Sequence, residues 1–369
     1  MIPMKIGVPK EIKTYENRVA LTPSGVAALT QAGHQVLVET SAGSACGYPD
    51  EQYRRAGAQM TTAAEAWSAD LVVKVKEPQP VEYGYFRPNL MLFTYLHLAA
   101  APDLADALMA EGVTAIGYET VQDAEGRLPL LAPMSEIAGR LAPQLGAQYL
   151  ENHQGGLGIL ISGVPGVPAA HVVIVGGGTV GTAAAKMAVG MGARVSILDI
   201  NPNRLAWLDD VFGSRIQTLW AHPAALGDAV RSADIVIGAV LVPGDRAPKV
   251  VTTEMVQQMT AGSVIVDVAI DQGGCVETID RATTHENPTY TRFGVTHYAV
   301  ANIPGSVART ATQALTNVTL PYVIALSRGL TGALQERPEL RSGINIADGR
   351  ITHAAVAKAL DRAYHPLTL

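Results

Sequence analysis

The sequence predicts an α/β protein made of two doubly wound domains with parallel sheets. Three observations predict it. Short β-branched runs alternate with helical segments along most of the chain, the rhythm of a parallel sheet covered on both faces. The length of 369 residues suits about two domains. One stretch, His171 to Asp199, holds a strand, a glycine turn, a helix, a second strand and a terminal acid in register.

That stretch reads HVVIVGGGTVGTAAAKMAVGMGARVSILD. His171 to Val175 is a buried strand by its composition. Gly176-Gly177-Gly178-Thr179-Val180-Gly181 fits G-x-G-x-x-G, and a helical segment follows from about Thr179 to Met191, with Gly192 as its stop. A second strand, Arg194 to Leu198, leads to Asp199. Gly176 permits the tight turn, Gly178 lets backbone approach a pyrophosphate, and Gly181 lets helix and strand pack closely. The first turn, Thr179 and Val180 included, offers unpaired N–H groups and a partial positive charge to that pyrophosphate. Asp199, 23 residues after Gly176, is placed to accept from a ribose 2′-OH, which favours NAD over NADP. Arg204 has two readings, a guanidinium that accommodates a 2′-phosphate or a solvated helix residue. A bare glycine motif can also be a packing turn; the elements in register make this one a Rossmann-like dinucleotide site.

Composition narrows the class. Hydrophobic residues make up 48% and charged ones 16%, ample for buried cores. A net charge of −6 without a basic run argues against nucleic acid as a partner. Two cysteines far apart, Cys46 and Cys275, make no disulfide framework and suit a reducing compartment. The start, MIPMKIGVPKEIK, lacks a signal-peptide core, and no apolar run approaches the length of a membrane span. A soluble cytoplasmic protein is expected. The nine histidines show no metal-ligand spacing, so no metal is expected, and no G-x-S-x-G elbow supports serine hydrolysis.

Taken in order, Met4 to Val8 reads as a strand, Thr22-Pro23-Ser24 caps a helix that Gly33 ends, and Gln35 to Glu39 is the next strand. A short helix, Pro49 to Ala56, stops at Gly57. Strands follow at Asp70 to Val75, Leu90 to Tyr95 and Val113 to Tyr118, separated by helices near Val81 to Phe86 and Pro102 to Glu111. This first unit has no glycine fingerprint and is assigned to substrate. A long helix, about Ser135 to Leu150, crosses between the domains, and a Gly/Pro-rich loop, Gln154 to Pro168, delivers the chain to the fingerprint. Beyond Asp199, strands are expected at Ala233 to Gly238, Ser263 to Val268 and His297 to Ala301. A helical stretch from about Val307 to Leu330 carries a kink at Pro321, and a last helix spans about Thr352 to Tyr364.

Ligands of open α/β sheets bind beyond the carboxyl ends of the strands. Arg18, Lys76, His97, Asp271 and Asn302 all fall there, which points to an active-site cleft between the two domains. Arg18 and Lys76 suit a carboxylate, Arg with a bidentate fork. His97 and Asp271 suit proton transfer near neutral pH. Each has an ordinary alternative. Arg18 can be a solvated loop charge, Lys76 an ion pair with Glu77, His97 a structural histidine, and Asp271 the cap of the turn Asp271-Gln272-Gly273-Gly274. Cys275 reads as a small buried hydrophobe.

The segments IGVPKEIKTYENRVALTP, KVKEP, FTYLHLA, LPLLAPMSE, VIVGGGTVG, GAVLVPG and VDVAIDQGGC together resemble the alanine dehydrogenase family over nearly the whole chain. The resemblance implies reversible oxidative deamination of L-alanine to pyruvate and ammonia, with hydride passing to NAD. By motif it implies that Arg18 and Lys76 bind the substrate carboxylate and that His97 and Asp271 are the catalytic pair. Tyr95, Met134 and Asn302 match pocket positions beside substrate and nicotinamide, Ser135 a contact to the cofactor phosphates, and Asp199 the ribose contact. It also implies a nucleotide domain, residues 133–306, inserted into a discontinuous substrate domain, residues 1–132 and 307–369, and usually a homohexamer. One departure is Ala308, where the family commonly has proline; the effect expected is on loop stiffness near the interdomain hinge, about 1 kcal/mol or less. The rival readings are the soluble NAD-binding module of a proton-translocating transhydrogenase, an opine- or saccharopine-type dehydrogenase, and an NAD sensor without catalysis. The transhydrogenase module shares the fold and the opening motif but does not need His97 and Asp271.

Overall fold

Among the residues that the computed structural model describes, 3–240 and 247–367, the apolar runs form short strands. The amino-terminal segment contributes β1 (Lys5–Val8), β2 (Gln35–Glu39), β3 (Gln59–Thr61), β4 (Leu71–Val73), β5 (Met91–Thr94) and β6 (Thr114–Gly117). The middle segment contributes β7 (His171–Val175), β8 (Arg194–Asp199), β9 (Gln217–Trp220), β10 (Ile235–Gly238), β11 (Val264–Asp267), β12 (Thr289–Arg292) and β13 (Val295–Tyr298). The chain closes with β14 (Ile344–Ala347) and β15 (Arg350–Ile351). Two compact units result, one of Met1–Met134 with Val307–Leu369 and one of Ser135–Ser306. The first boundary falls inside the helix Ala132–Tyr149.

The sheet of the first unit runs β15-β14-β6-β5-β4-β1-β2-β3. Its six amino-terminal strands are parallel, whereas β14 and β15 add an antiparallel edge. The sheet of the second unit runs β12-β13-β11-β10-β7-β8-β9, parallel except for β12. Both sheets are therefore mixed, with mostly parallel strands and antiparallel edges where all-parallel ones were expected. Strands buried on both faces explain the uninterrupted apolar runs. In β7, Val172 and Ile174 enter one core and Val173 and Val175 the other.

Each sheet reverses its direction of growth beside its first strand. After β1 the strands step outward through β2 and β3, and β4 then returns to the other side of β1. After β7 they step through β8 and β9, and β10 returns to the other side of β7. A crevice opens beyond the carboxyl ends at such a reversal. In the first unit it receives the loops after β1 and β4; in the second, those after β7 and β10.

Local chemistry explains several ends. Thr22 accepts from Gly25 N–H to cap the helix Pro23–Gln31, and Gly33 closes that turn at φ +88°. The 3-10 helix Pro80–Tyr85 stands where an α-helix was expected. The helix Ala308–Leu326 contains Pro321 and ends before Leu330, because Gly329 at φ +96° opens a separate helix, Leu330–Glu336. Ala308 is the first residue of its helix, a position where proline is well tolerated, so the departure concerns a helix start and not a loop. The helix expected from Thr352 to Tyr364 shrinks to Ala354–Ala359, which gives way at Leu360 before Asp361 turns left-handed at φ 53°. Among the described residues no helix is long and apolar enough to cross a membrane.

Candidate active site

At the reversal in the first unit, the loop after β1 buries charge. Arg18 is only 2% exposed, which rules out the solvated reading. Glu16 holds it two-handed: Nε donates to Oε1 at 2.7 Å and Nη2 to Oε2 at 2.6 Å. Nη1 lies 3.0 Å from the sulfur of Met134. Burial disfavours the guanidinium charge, but Glu16 outweighs it and pushes the Arg18 pKa up. The side chain is thus a fixed cation, its orientation set before any ligand arrives. Tyr95 lies buried in the same unit with its hydroxyl donating to Leu130 O at 2.7 Å.

The strand β4 continues into Lys74-Val75-Lys76-Glu77. Lys76 is buried, and its carbonyl accepts from the Thr94 hydroxyl at 3.0 Å. Lys74, two residues earlier, points into a buried triad with Glu82 at 2.9 Å and Glu11 at 3.2 Å. Glu11 also accepts from Val75 N–H at 2.6 Å, which pins the end of β4 to the loop after β1. Burial pushes the Glu11 carboxyl up to about 6, against the pull of Lys74.

His97 closes the β5 loop in a left-handed conformation, φ 49° and ψ 37°, uncommon for a residue with a side chain. The Glu119 carboxylate anchors that backbone, accepting from His97 N–H at 2.7 Å and from Leu96 N–H at 3.2 Å. The ring stacks on Tyr95 at 5.8 Å between centroids, and its Nδ1 lies 3.5 Å from Glu77 Oε2. The other oxygen of Glu77 pairs with Lys13. Burial opposes ionisation of Glu77, but the His97 ring and the Lys76 and Lys13 charges outweigh it and hold the carboxyl well below its usual range. Glu77 therefore pairs with Lys13 and His97 and is more than a neighbour of Lys76.

The second unit carries the glycine turn. Gly176 has φ +105°, and a Cβ there would stand 2.7 Å from Ala239 O. At Gly181 a Cβ would meet Gly176 O at 1.8 Å, so helix and turn are in contact. Gly178 faces open space, caps the helix Thr179–Gly190 without a side-chain bond, and leaves that N-terminus clear for an anion. Thr179 is exposed beside it, and Val180 is buried in the core. A dinucleotide pyrophosphate fits this cradle, since the one position lacking a neighbour is the one where backbone must approach it. Gly139 of the helix that carries Ser135 presses on the same place: its Cβ would fall 2.3 Å from Val180 O.

Asp199 at the end of β8 accepts from Gly177 N–H at 2.7 Å and from Asn201 N–H at 2.8 Å, fixing its carboxylate against the turn. Arg204 is half-buried: Nε donates to Gly177 O at 2.5 Å, Nη2 donates to the Thr182 hydroxyl at 2.6 Å, and the fork lies 4.1 Å over the Trp207 ring. Arg204 is thus spent on the turn and is not a solvated helix residue.

Asp271 sits exposed on the 3-10 helix Val268–Gln272, and among the described residues its carboxylate receives no hydrogen bond. Asp267, and not Asp271, caps this loop, accepting from Ala269 N–H at 3.0 Å and from Cys275 N–H at 2.8 Å. Cys275 is fully buried, and burial beside Asp267 pushes its thiol up. Asn302 adopts φ 65°, its carbonyl 3.3 Å from His285 Nε2. Arg18, Lys76, Tyr95, His97 and Met134 thus belong to the first unit, and Ser135, Asp199, Arg204, Asp271 and Asn302 to the second. The final residues of the GAVLVPG segment, 241–244, lie outside the described residues. Sequence reasoning missed Glu16, Glu119, Asp267 and the buried triad. Only Lys74 left a trace, as a lone charge within an apolar strand.

Comparison with known proteins gives one answer along the whole chain. Residues 7–138 match the family model for the alanine dehydrogenase/PNT N-terminal domain and residues 142–354 that for the C-terminal domain. An alanine dehydrogenase of Bacillus subtilis (strain 168) is 59% identical over 98% of this chain and 96% of its own. A solved L-alanine dehydrogenase superposes with a TM-score of 0.94 at 55% identity, covering 97% of this chain and 99% of that one. A transhydrogenase structure from Sinorhizobium meliloti follows at 0.81 and 26% identity, covering 95% and 99%. With both domains matched in order and the identity sustained over nearly the full length, the chain belongs to the alanine dehydrogenase/PNT family.

Proposed function

We propose that the protein is an NAD-dependent alanine dehydrogenase, interconverting L-alanine with pyruvate and ammonia. The 59% identity over 98% of the chain carries this reading, and the buried Arg18–Glu16 clamp supports it from the first unit. NAD supplies the hydride acceptor. Asp199 gives the preference for NAD over NADP, because a carboxylate fixed against the glycine turn attracts a ribose hydroxyl and repels a phosphate. Gly176, Gly178, Thr179, Val180 and Gly181 form the pyrophosphate cradle, flanked by Ser135, while Arg204 holds the turn.

In this reading Arg18 and Lys76 bind the substrate carboxylate, and Tyr95, Met134 and Asn302 wall the pocket. Loss of hydride from Cα leaves an iminium, which water attacks to give a carbinolamine. His97 and Asp271 move the protons that activate the water and release ammonia. The identity with transhydrogenase, 26%, supports the module reading far less. We extend the proposal to a cytoplasmic homohexamer, for which sedimentation should return six times 38.7 kDa.

The test is steady-state turnover with alanine and NAD in wild type, His97→Ala and Asp271→Asn. General acid–base groups contribute about 10²–10⁴-fold, and each variant should lose turnover in that range while still binding NADH. Wild-type turnover in either variant removes that residue from its role. A wild type inactive with alanine returns the chain to the cofactor-module reading.

A further inference from the structure

We propose that Glu77 is the positioning residue of the proton-transfer histidine, fixing the His97 ring through Nδ1 so that Nε2 is the atom that exchanges protons. The proposal rests on the reading of His97 as a proton-transfer group and adds the residue that aims it.

Geometry carries it. Glu77 is 14% exposed in its side chain, and its two oxygens are divided between two partners. Oε1 belongs to the Lys13 ammonium. Oε2 is buried, has no hydrogen-bond donor among the described residues, and faces His97 Nδ1 at 3.5 Å. That separation is an ion-pair distance, short of a formed hydrogen bond. Such contacts often tighten when a site fills. An ionised carboxylate only accepts, so the ring must present Nδ1–H to it, which leaves Nε2 with the lone pair.

Two further contacts leave the ring little freedom. Tyr95 stacks on one face at 5.8 Å, and Glu119 fixes the left-handed backbone from which the side chain springs. Glu119 sets where the ring starts, Tyr95 sets its plane, and Glu77 sets its protonated nitrogen. The side chain of His97 remains 35% exposed, so the ring is not sealed from reactants.

The substitution Glu77→Gln tests this with nearly unchanged shape. Lys13 is donor-only and will take the amide oxygen, which turns the amide NH₂ toward Nδ1. The ring must then accept at Nδ1 and carry its proton on Nε2, the wrong tautomer for a base at that atom. We expect kcat to fall by at least about 10–100-fold, the range that loss of an orienting partner costs at metal-bound histidines, and by up to about 10⁴-fold, the cost of a wrong tautomer in a catalytic triad. NADH affinity and the pyruvate KM should stay within about 3-fold, and Glu77→Asp should recover part of the loss.

The decisive readout is ¹⁵N NMR of histidine-labelled wild type above the range where imidazole protonates, with His97→Gln identifying the signal. Wild type should show His97 protonated on Nδ1, and Glu77→Gln should show it on Nε2. An Nε2–H tautomer in wild type overturns the proposal, whether or not Glu77→Gln folds. So does a Glu77→Gln protein with wild-type kcat, or one whose loss lies in KM alone, since Glu77 would then act on Lys76. Wild-type turnover in His97→Gln instead overturns the underlying reading of His97, while the tautomer still reports the orienting contact.

Discussion

Arg18 spends half of its fork before any substrate arrives. Nε and Nη2 are bound to Glu16, so the guanidinium cannot rotate and its charge does not depend on a ligand. A lysine offers one point charge and cannot satisfy both carboxylate oxygens of Glu16. Arg18→Lys should therefore weaken pyruvate binding while NADH binding stays nearly unchanged, as fluorescence titration of each ligand would tell. Equal loss of both would make Arg18 a structural residue. Asp199 is the counterpart in the second unit. Asp199→Ala removes the acceptor for Gly177 N–H and, in the proposed function, the ribose acceptor, a cost of about 1.5–3 kcal/mol for a charge-assisted contact. The NAD Michaelis constant should rise and discrimination against NADP relax; an unchanged NAD/NADP ratio would remove Asp199 from this role. The candidate cations were legible because Arg18 and Lys76 stand at strand ends in a sequence otherwise poor in charge. Their carboxylate partners were not. Glu119 is 22 residues from His97 and Glu11 is 64 from Val75, and no local pattern encodes such pairs.

Among the elements, the end of β4 depends on the buried Glu11–Lys74–Glu82 triad. Removing one member of such a cluster costs about 3–5 kcal/mol, because the remaining charges stay buried without compensation. Lys74→Met should lose about that much at pH 7, by urea denaturation. The sign with pH follows from Glu11, whose folded pKa of about 6 lies above its ordinary value. A raised carboxyl contributes stability fully present below the unfolded pKa and lost as pH rises through the folded one. Without Lys74 that folded pKa can only rise, so the deficit should shrink between pH 7 and pH 4.5. A deficit that grows on acidification would contradict this. Most elements could be read from periodicity and punctuation: β2 and β7 match their expected bounds. Two signals went unused. Thr62 and Glu65 form a capping box at the start of the helix Ala63–Trp67, and Asp348-Gly349 is a hairpin signal between β14 and β15. The short last helix went wrong because helical composition continues past Leu360 while the backbone does not.

For the whole molecule, the segment that finishes the first unit is remote in sequence from the part it completes. Val19 N–H donates to Thr312, and β14 pairs with β6 across more than two hundred residues. The second unit contains no pairing of that span, since its strands all lie between His171 and Tyr298. Contacts that close long loops form late. The order of assembly is thereby written into the chain: the inserted unit can mature while β6 still presents a bare hydrogen-bonding edge. An uncovered edge is a template for pairing with another chain, so the interval before β14 docks is the period of greatest aggregation risk. Pulse-labelled hydrogen exchange during refolding should protect the amides of β7, β8 and β10 before those of β14. Simultaneous protection would mean that the two units fold as one. During synthesis a finished nucleotide-binding unit would thus precede an unfinished partner, which depends on residues 307–369 to be closed.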